Sequence, residues 1–290
     1  MRKLLLLLVA AFCMQFADAQ KPNSKFGGVQ VGAITYSYRT MSDQSLGAVL
    51  NYIVQSGLNS VELLGGTVEQ FAGIPRERDA IRPWRTSVSM DKFKEVKKMF
   101  DKQGVKIHLV NFGYSRTLSD GEIDYFFNVC KALGAKGIVA EVGEEAAQRL
   151  APFADKHKLY VVMHNHGQPG TPDFSFDKLL AFGPRLMLNL DVGHYYASTG
   201  KNPCDEIRRL NKRIFSLHLK DRTWVGDYNK ADNLPFGKGQ TPLVEVLQLI
   251  QKEKYPIFCD IELEYAIPAG SDDVKEVIKC VDYCRKALIK

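Results

Sequence analysis

The chain has 290 residues, of which 45% are hydrophobic and 25% are charged, and its formal net charge is +6. These values are ordinary for a globular protein and exclude a disordered chain, a collagen or a long coiled coil. The cations are scattered and do not form the basic cluster that nucleic-acid binding needs, so no nucleic-acid partner is expected.

The start of the chain has the features of a secretory signal peptide. Two cations precede an apolar run over 4–12, and the small-residue sequence Ala-Asp-Ala over 17–19 offers a cleavage site. The apolar run is too short to span a bilayer. We therefore expect a cleaved signal peptide over 1–19 and a single folded domain over 20–290. This domain would be secreted, into a bacterial periplasm, with no membrane span.

Short runs rich in β-branched residues alternate with amphipathic stretches along the rest of the chain. Eight runs are nearly continuous in apolar residues, as expected of parallel strands that are covered on both faces. The predicted strands are 29–36, 60–65, 105–111, 137–142, 159–165, 186–192, 214–219 and 256–263. Eight strand–helix units in about 250 residues predict a single-domain (β/α)8 TIM barrel. A doubly wound open sheet is disfavoured because no glycine-rich phosphate turn follows any strand.

Helix starts are marked by capping signals between these strands. Ser119 and Glu122 form a capping box at the start of a helix predicted over 120–133. Two further starts have a capping residue followed by a proline that suits the first helical position, namely Asn202-Pro203 and Thr241-Pro242. The last helix repeats apolar residues at Val274, Val277, Ile278, Val281 and Leu288, which predicts a buried face.

The cysteines do not predict a disulfide framework. Five of them lie beyond the signal segment, namely Cys130, Cys204, Cys259, Cys280 and Cys284, and an odd, widely spaced set is not typical of disulfide-stabilised folds. Cys280 and Cys284 lie four residues apart on the last predicted helix, where an apolar face is favoured over a redox pair. This face and the outer helices leave a homodimer open.

Two connections are too long to be plain turns. One runs from Thr67 to Ser89 and the other from Asp221 to Gln240. Both follow a strand, so both are expected at the C-terminal face, where barrel active sites are built. They are either solvated loops or a substrate lid, in which Trp84 or Trp224 would stack on a sugar face.

Polar residues gather at the carboxyl ends of the predicted strands. Of six histidines, five fall in or just after strands, namely His108, His164, His166, His194 and His218. Carboxylates join them at Glu62, Glu141, Asp191, Glu262 and Glu264. Burying several carboxylates together is costly unless a cation neutralises them. We therefore predict one divalent metal ion (Mn²⁺, Zn²⁺, Co²⁺, Fe²⁺ or Mg²⁺), with a metal-free hydrogen-bond network as the alternative.

Four segments follow one another at the ends of strands five to eight. They read VVMHNHG up to Gly167, LDVGH up to His194, LHLKD up to Asp221 and IELEY up to Tyr265. Together, over roughly 29–288, they resemble the xylose isomerase-like TIM-barrel superfamily of sugar (phosphate) isomerases and epimerases.

The resemblance implies a single metal ion with one ligand from each of these strands. By position, the ligands are His164, Asp191, His218 and Glu262. The sequence departs from the superfamily's ketose epimerases at strand five, where they carry a glutamate that serves as ligand and base. His164 stands there instead, as in a subgroup with inosose dehydratase-like and secreted members. Glu141 on the neighbouring strand is expected to supply the missing carboxylate, as ligand or as base.

The expected reaction is proton abstraction next to the carbonyl of a small carbohydrate, with the metal ion as Lewis acid. The candidate proton-transfer residues are Glu141 and Glu264, with His194 and His166 as alternates, and His166 is also a candidate substrate contact. Lys220 and Arg222 are expected to hold substrate oxygens, although an ion pair of Lys220 with Asp221 is equally open. Glu62 is a substrate ligand or a partner inside the barrel.

The secreted location favours an unphosphorylated sugar, keto sugar, cyclitol or 3-keto-glycoside as substrate. A lyase or dehydratase is the second hypothesis, because such a reaction starts with the same proton removal. An apurinic-site endonuclease is disfavoured by the signal peptide and by the modest charge. A periplasmic barrel that binds sugar without turnover is the remaining alternative.

Overall fold

A computed structural model of the protein describes residues 21–289. The predicted signal peptide over 1–19 lies outside the described residues. Eight parallel strands form a closed barrel, because each pairs with the next in the chain and the eighth pairs with the first. Strands one to eight are Val29–Ile34, Ser60–Leu64, Lys106–Asn111, Gly137–Glu141, Tyr160–His164, Leu186–Asp191, Ile214–Leu219 and Phe258–Ile261. The prediction of a single (β/α)8 barrel is confirmed.

Helices surround the barrel and connect its strands. Within the described part of the chain they are α1 (Leu46–Gln55), α2 (Gly65–Ala72), α3 (Arg78–Ser87), α4 (Asp91–Gln103), α5 (Asp120–Leu133), α6 (Glu144–His157), α7 (Phe176–Leu180), α8 (Val192–Thr199), α9 (Pro203–Leu210), α10 (Leu243–Glu253) and α11 (Asp273–Leu288). Two short antiparallel pairs are added: Lys25–Phe26 joins strand one, and Asp221–Arg222 pairs with Asn233–Leu234. Between residues 21 and 289, no helix is both long and apolar enough to cross a membrane.

Alternation along the strands divides the apolar residues between two regions. On strand four, Ile138 and Ala140 belong to the large core shared with the helices. Val139 between them packs instead with Leu109 and Val162 in a small separate cluster. Since successive strand residues point to opposite faces, this small cluster lies inside the barrel.

A polar group shares the barrel interior with that small cluster. His108 Nε2 lies 2.8 Å from Asp260 Oδ2, and its Nδ1 lies 3.0 Å from Ser60 Oγ, with all three residues buried. The imidazole stacks on Phe258 with 4.3 Å between ring centroids. A Cβ at Gly32 would come within 2.2 Å of Asp260 Oδ1, so only glycine leaves room for this carboxylate.

The predicted helix starts are largely confirmed. Ser119 and Glu122 form the complete capping box of α5, and the Asn202 side chain accepts a hydrogen bond at the start of α9. The prediction for α10 is wrong by one residue, because Pro242 itself is the N-cap and makes no side-chain cap bond. The Thr241 hydroxyl is engaged elsewhere, accepting a hydrogen bond from the backbone N–H of Arg222 at 3.0 Å.

The connection from Thr67 to Ser89 is largely helical, which corrects the prediction of a solvated loop, while a role as a substrate lid stays a prediction. It contains most of α2 and the whole of α3. Arg85 of α3 makes two hydrogen bonds to Glu69 of α2, at 2.8 and 3.0 Å, and reaches Glu122 of α5 at 3.3 Å. These tertiary ion pairs stabilise a helix whose sequence is polar and contains a proline, so local pattern alone did not reveal it.

The last helix buries its cysteines. Cys280 and Cys284 are buried against the core, which confirms an apolar face and excludes this face as the surface of a homodimer. Ile278 is exposed, so its assignment to the buried face is wrong. Ile278 comes directly after the fully buried Val277, so its side chain is rotated about 100° around the helix from that of Val277.

Candidate active site

Four side chains meet at the C-terminal mouth of the barrel. His164, Asp191, His218 and Glu262 each offer one ligand atom, and these atoms all lie within 4.8 Å of one another. All four residues are buried, at or just beyond the ends of strands five to eight. The structure thus brings together the four residues that the resemblance to the superfamily implied as metal ligands; we call them the four-ligand group.

The donor atoms of this group suit a divalent cation. His164 Nε2 lies 3.7 Å from Asp191 Oδ2 and 3.9 Å from Glu262 Oε2. His164 Nε2 is buried without a hydrogen-bond partner, and Asp191 Oδ2 is buried with an ion pair to Lys220 at 3.2 Å as its polar contact. Buried polar atoms are normally paired, so an unpaired imidazole nitrogen that faces two carboxylates fits a metal ion between these ligands.

His218 is held between two carboxylates. Its Nδ1 lies 2.9 Å from Glu262 Oε2 and its Nε2 lies 3.1 Å from Glu62 Oε2. Burial by itself would lower the pKa of His218, but the two carboxylates raise it well above the ordinary value. Glu62 is fully buried and also accepts hydrogen bonds from Asn111 and Asn189, at 3.0 and 2.9 Å. Glu62 is therefore a partner inside the barrel, and the expectation of a substrate ligand is not supported.

Lys220 is a buried cation at the mouth of the barrel. Its Nζ lies 2.7 Å from Glu264 Oε2, 3.0 Å from Glu262 Oε2 and 3.2 Å from Asp191 Oδ2. Burial would lower the pKa of Lys220, but these three carboxylates raise it above the ordinary value, so the side chain is an ammonium ion. Its positive charge offsets part of the negative charge of the surrounding carboxylates.

His194 lies behind Lys220 and is held uncharged. Burial lowers its pKa to about 2 and outweighs the Asp191 carboxylate, which would raise it, and the nearby Lys220 ammonium lowers the pKa further. Lys220 Nζ lies 2.7 Å from His194 Nε2, while Arg222 and the Tyr228 hydroxyl lie 2.8 and 2.9 Å from Nδ1. A neutral imidazole can orient neighbouring groups but cannot supply a proton as an imidazolium.

Arg222 ties the connection after strand seven to this histidine. Its guanidinium donates to the Ala231 carbonyl at 2.7 Å and lies 4.7 Å from the centroid of the Tyr228 ring. Trp224 stands on the same connection with 46% of its surface exposed. Arg222 is therefore largely committed to holding the connection in place, and a contact from it to substrate stays a prediction.

Asp221 anchors the far end of that connection, which corrects the predicted ion pair with Lys220. Its carboxylate accepts hydrogen bonds from the backbone N–H groups of Gly237, Gly239 and Thr241, at 2.8, 3.0 and 3.2 Å. The segment from Gly237 to Thr241 is thus fastened to Asp221, the residue that directly follows Lys220.

Asp221→Ala should loosen the connection over 223–240. Hydrogen bonds to a charged group contribute about 1.5–3 kcal/mol each, so their loss should raise the open population of this segment more than tenfold. Trypsin should then cut after Lys230 or Lys238 at least ten times faster than in the unaltered chain. Asp232→Asn, at an exposed position of the same connection, should not change the rate.

Glu141 and His166 form the outer rim of the site. His166 Nδ1 donates to Glu141 Oε2 at 2.7 Å, and Glu141 Oε1 lies 3.5 Å from His164 Nδ1. Burial raises the pKa of Glu141, but contact with the two imidazoles outweighs it and brings the pKa to about 2. About half of each rim side chain is exposed, at 52% for Glu141 and 45% for His166, so both can meet a small molecule in the mouth.

Trp84 is the one predicted site residue that the structure places elsewhere. It lies on α3 and meets Tyr125 of α5 edge to face, with ring centroids 6.0 Å apart. Within residues 21–289, no hydrogen bond, ion pair or ring contact joins Trp84 to the four-ligand group. Its expected stacking on a sugar is therefore not supported, because the residue packs between two outer helices.

Sequence reasoning missed the amides that support the acidic residues. Asn189 bonds to Glu62, and Asn165 accepts a hydrogen bond at 3.0 Å from the backbone N–H of Asp191. The period of two along strand six places Asn189 on the same face as Asp191, and this signal could have revealed it. The same period of two could not have revealed Asn165, because this residue lies between His164 and His166 and is therefore assigned to the opposite face. Only its contact with Asp191 on the neighbouring strand shows its role.

Comparison with known proteins agrees with this architecture. The family model described as xylose isomerase-like TIM barrel matches residues 50–284. A sugar phosphate isomerase/epimerase from Parabacteroides distasonis is 19% identical, with coverage of 88% of this chain and 95% of that one and a TM-score of 0.63. The 3-keto-D-glucoside 4-epimerase from E. coli is 11% identical, with coverage of 89% and 99% and a TM-score of 0.64.

A third similar structure has a different reaction in its name. The probable 3-DHS dehydratase of petrobactin synthesis from Bacillus anthracis is 15% identical, with coverage of 88% of this chain and 99% of that one and a TM-score of 0.65. At these identities the likeness to each structure shows the fold alone. No curated protein matches the chain.

Proposed function

The chain belongs to the xylose isomerase-like TIM-barrel family, and we propose that it is a divalent-metal-dependent sugar isomerase or epimerase. The observation that carries this proposal is the four-ligand group, in which the buried, unpaired His164 Nε2 faces the carboxylates of Asp191 and Glu262. A site that gathers imidazole and carboxylate donors at the mouth of a barrel is suited to binding and polarising a small oxygenated molecule.

His164, Asp191, His218 and Glu262 would hold the metal ion. When bound there, the ion would act as a Lewis acid toward a carbonyl oxygen and an adjacent hydroxyl oxygen of the substrate. Burial would lower the pKa of His164, but Asp191 and Glu141 raise it to about 9, so His164 and His218 are both protonated at neutral pH. Histidine ligates metals as the neutral imidazole, so binding would require both to give up this extra proton.

Glu264 is the carboxylate that we assign to proton transfer. It lies beside the four-ligand group and 2.7 Å from Lys220, but it is not a member of the group. Lys220 orients it and, as an ammonium ion, would also stabilise negative charge that develops on a substrate oxygen. His194, which is neutral and hydrogen-bonded to Lys220 at 2.7 Å, would keep the ammonium in place.

The substrate that we propose is an unphosphorylated sugar, keto sugar or cyclitol. Lys220 and Arg222, the two buried cations that the structure places at the mouth, are already engaged by carboxylates and carbonyls. A neutral substrate requires no further cation. The predicted signal peptide supports the same choice through a secreted, periplasmic location.

A lyase or dehydratase acting on a keto sugar is the second candidate. The specific observation in its favour is His164, which stands where the superfamily's ketose epimerases carry a second basic carboxylate. With one basic carboxylate, proton removal could be followed by loss of a leaving group instead of proton return to the opposite face.

Hydrogen exchange in D₂O tests the proposed function directly. The chain from Gln20 onward, loaded with Mn²⁺, Zn²⁺ or Co²⁺, is incubated with keto sugars and 3-keto-glycosides, and deuterium uptake next to the carbonyl is followed by NMR. We expect uptake by the unaltered chain and a loss of about 10²–10⁴-fold in Glu264→Gln.

Glu253→Gln, at an exposed position of α10, is the matched control and should keep full activity. Deuterium uptake with return of the same or an epimeric sugar supports an isomerase or epimerase, while formation of an unsaturated product supports the lyase. A metal-loaded protein that binds these sugars but exchanges no hydrogen would contradict catalysis and favour a sugar-binding barrel.

A further inference from the structure

Glu141 is the rim carboxylate whose role the sequence left open between ligand and base. We propose that Glu141 is a positioning residue that orients His164 and His166, and that it neither ligates the metal ion nor moves the substrate proton. This inference rests on the proposed function, since it assigns a role toward the same metal ion.

The first argument is the position of Glu141 relative to His164. The two residues are paired in the parallel register of strands four and five, and Val142 N–H donates to the His164 carbonyl at 2.8 Å. Their side chains therefore leave neighbouring strand ends toward the same mouth. The carboxylate lies on the outer side of the imidazole, where Oε1 is 3.5 Å from Nδ1.

The second argument concerns the opposite nitrogen of the same ring. His164 Nε2 is buried, has no hydrogen-bond partner, and faces the carboxylates of Asp191 and Glu262. To ligate a cation there, Nε2 must carry the lone pair, and the ring proton must then lie on Nδ1. Glu141 is the carboxylate that faces this proton, the arrangement by which outer carboxylates fix the tautomer and orientation of metal-ligating histidines.

The third argument separates Glu141 from Glu264. Each oxygen of Glu141 faces a different imidazole, with Oε2 accepting from His166 at 2.7 Å and Oε1 facing His164. Glu264 instead faces both of its partners, Lys220 and Asn233, with the same oxygen, Oε2, at 2.7 and 3.4 Å. A base needs an oxygen within reach of the substrate proton. The second oxygen of Glu264, Oε1, takes no part in the contacts with Lys220 and Asn233 and can therefore serve as this oxygen.

Metal affinity separates a positioning residue from a base without any measurement of turnover. Zn²⁺ affinity is measured by competition with a chromophoric chelator, and the visible spectrum of the Co²⁺-loaded protein reports ligand geometry. Glu141→Ala should weaken Zn²⁺ binding about 10–100-fold and change the Co²⁺ spectrum, as loss of an outer carboxylate does at other histidine sites. Glu141→Gln should lose less affinity, because an amide oxygen can still accept from one imidazole.

Two variants serve as comparisons. Glu264→Gln should bind Zn²⁺ as the unaltered chain does, with the same Co²⁺ spectrum, because we assign Glu264 to proton transfer alone. Glu145→Gln should also be unchanged, since this rim glutamate contacts Tyr114 and Arg116 and not a histidine. Far-ultraviolet circular dichroism of each variant establishes that the barrel is folded before metal is added.

The outcomes distinguish this inference from the proposed function. If Glu141→Ala and Glu141→Gln bind Zn²⁺ normally but lose hydrogen exchange, Glu141 is the base and the inference is overturned. If Glu141→Ala loses Zn²⁺ binding as completely as a ligand variant such as Asp191→Asn, Glu141 is itself a ligand and the inference is again overturned. Failure of the unaltered chain to bind any metal overturns the proposed function and this inference with it.

Discussion

Asp191→Asn and His218→Gln should each lose the bound metal ion. After incubation with Zn²⁺ or Mn²⁺ and dialysis, the unaltered chain should retain about one equivalent by elemental mass spectrometry and each variant almost none. The expected loss of affinity exceeds the roughly 10–100-fold that follows removal of an outer carboxylate, because a direct ligand is removed. Asn at position 191 keeps an oxygen that can accept a hydrogen bond from the backbone N–H of His194, so the N-cap of α8 is retained.

The same pair of variants should lose the stabilisation that metal confers. An ion present at 100 times its Kd stabilises the folded protein by about 2.7 kcal/mol, which raises Tm by several degrees in a domain of this size. Asp205→Asn and His157→Gln, which change the same residue types outside the mouth, should keep both the metal and the Tm increase. An unaltered chain that retains no metal and shows no Tm increase would contradict the Lewis-acid mechanism.

Much of the fold could be predicted because its signals are local. Apolar runs of the right length, spaced by capped helices, identify the eight strands, and the carboxyl ends of parallel strands in a barrel converge at one mouth. This convergence alone places His164 near Asp191, although the two lie on different strands. The choice of the four ligands among the polar residues at this mouth came from the resemblance to the xylose isomerase-like superfamily.

The sequence-based predictions were wrong where contacts between distant parts of the chain determine the structure. Nothing in the local sequence around Trp84 shows that Arg85 pairs with Glu69 and so stabilises α3. Likewise, Asp221 is next to Lys220 in sequence, but its carboxylate accepts hydrogen bonds from three backbone N–H groups of the following connection. Lys220 contacts the carboxylates of the mouth instead. Neighbouring strand residues face opposite sides, and this alternation could have excluded their ion pair.

The interior of the barrel shows how the mouth is supported from below. Asp260 and Ser60 lie two residues before Glu262 and Glu62, so each polar pair shares one face of its strand. His108 lies on strand three and contacts both Asp260 and Ser60, below the carboxylates that hold His218. The buried polar group and the candidate metal site are therefore consecutive polar layers inside the barrel.

His108→Leu should be among the most destabilising single changes in the described part of the chain. The substitution introduces an apolar side chain of similar size, and it leaves the fully buried Asp260 carboxylate without its imidazole partner. Leaving a buried acceptor without its hydrogen-bond partner costs about 1–3 kcal/mol, and more where the acceptor is a charged group. Urea unfolding at neutral pH, followed by circular dichroism, should show this loss in the free energy of unfolding.

His157→Leu is the matched control for that measurement. His157 Nε2 lies 2.7 Å from Asp124 Oδ1, a pair of the same type, but Asp124 is partly exposed and also meets Lys156 at 2.7 Å. Since Asp124 keeps a cation and water, the expected cost is at most about 1 kcal/mol. Adding Asp260→Asn to His108→Leu should recover part of the stability by removing the unpaired charge. Equal losses in the two single variants, with no recovery in the double variant, would show that Asp260 tolerates burial without its histidine.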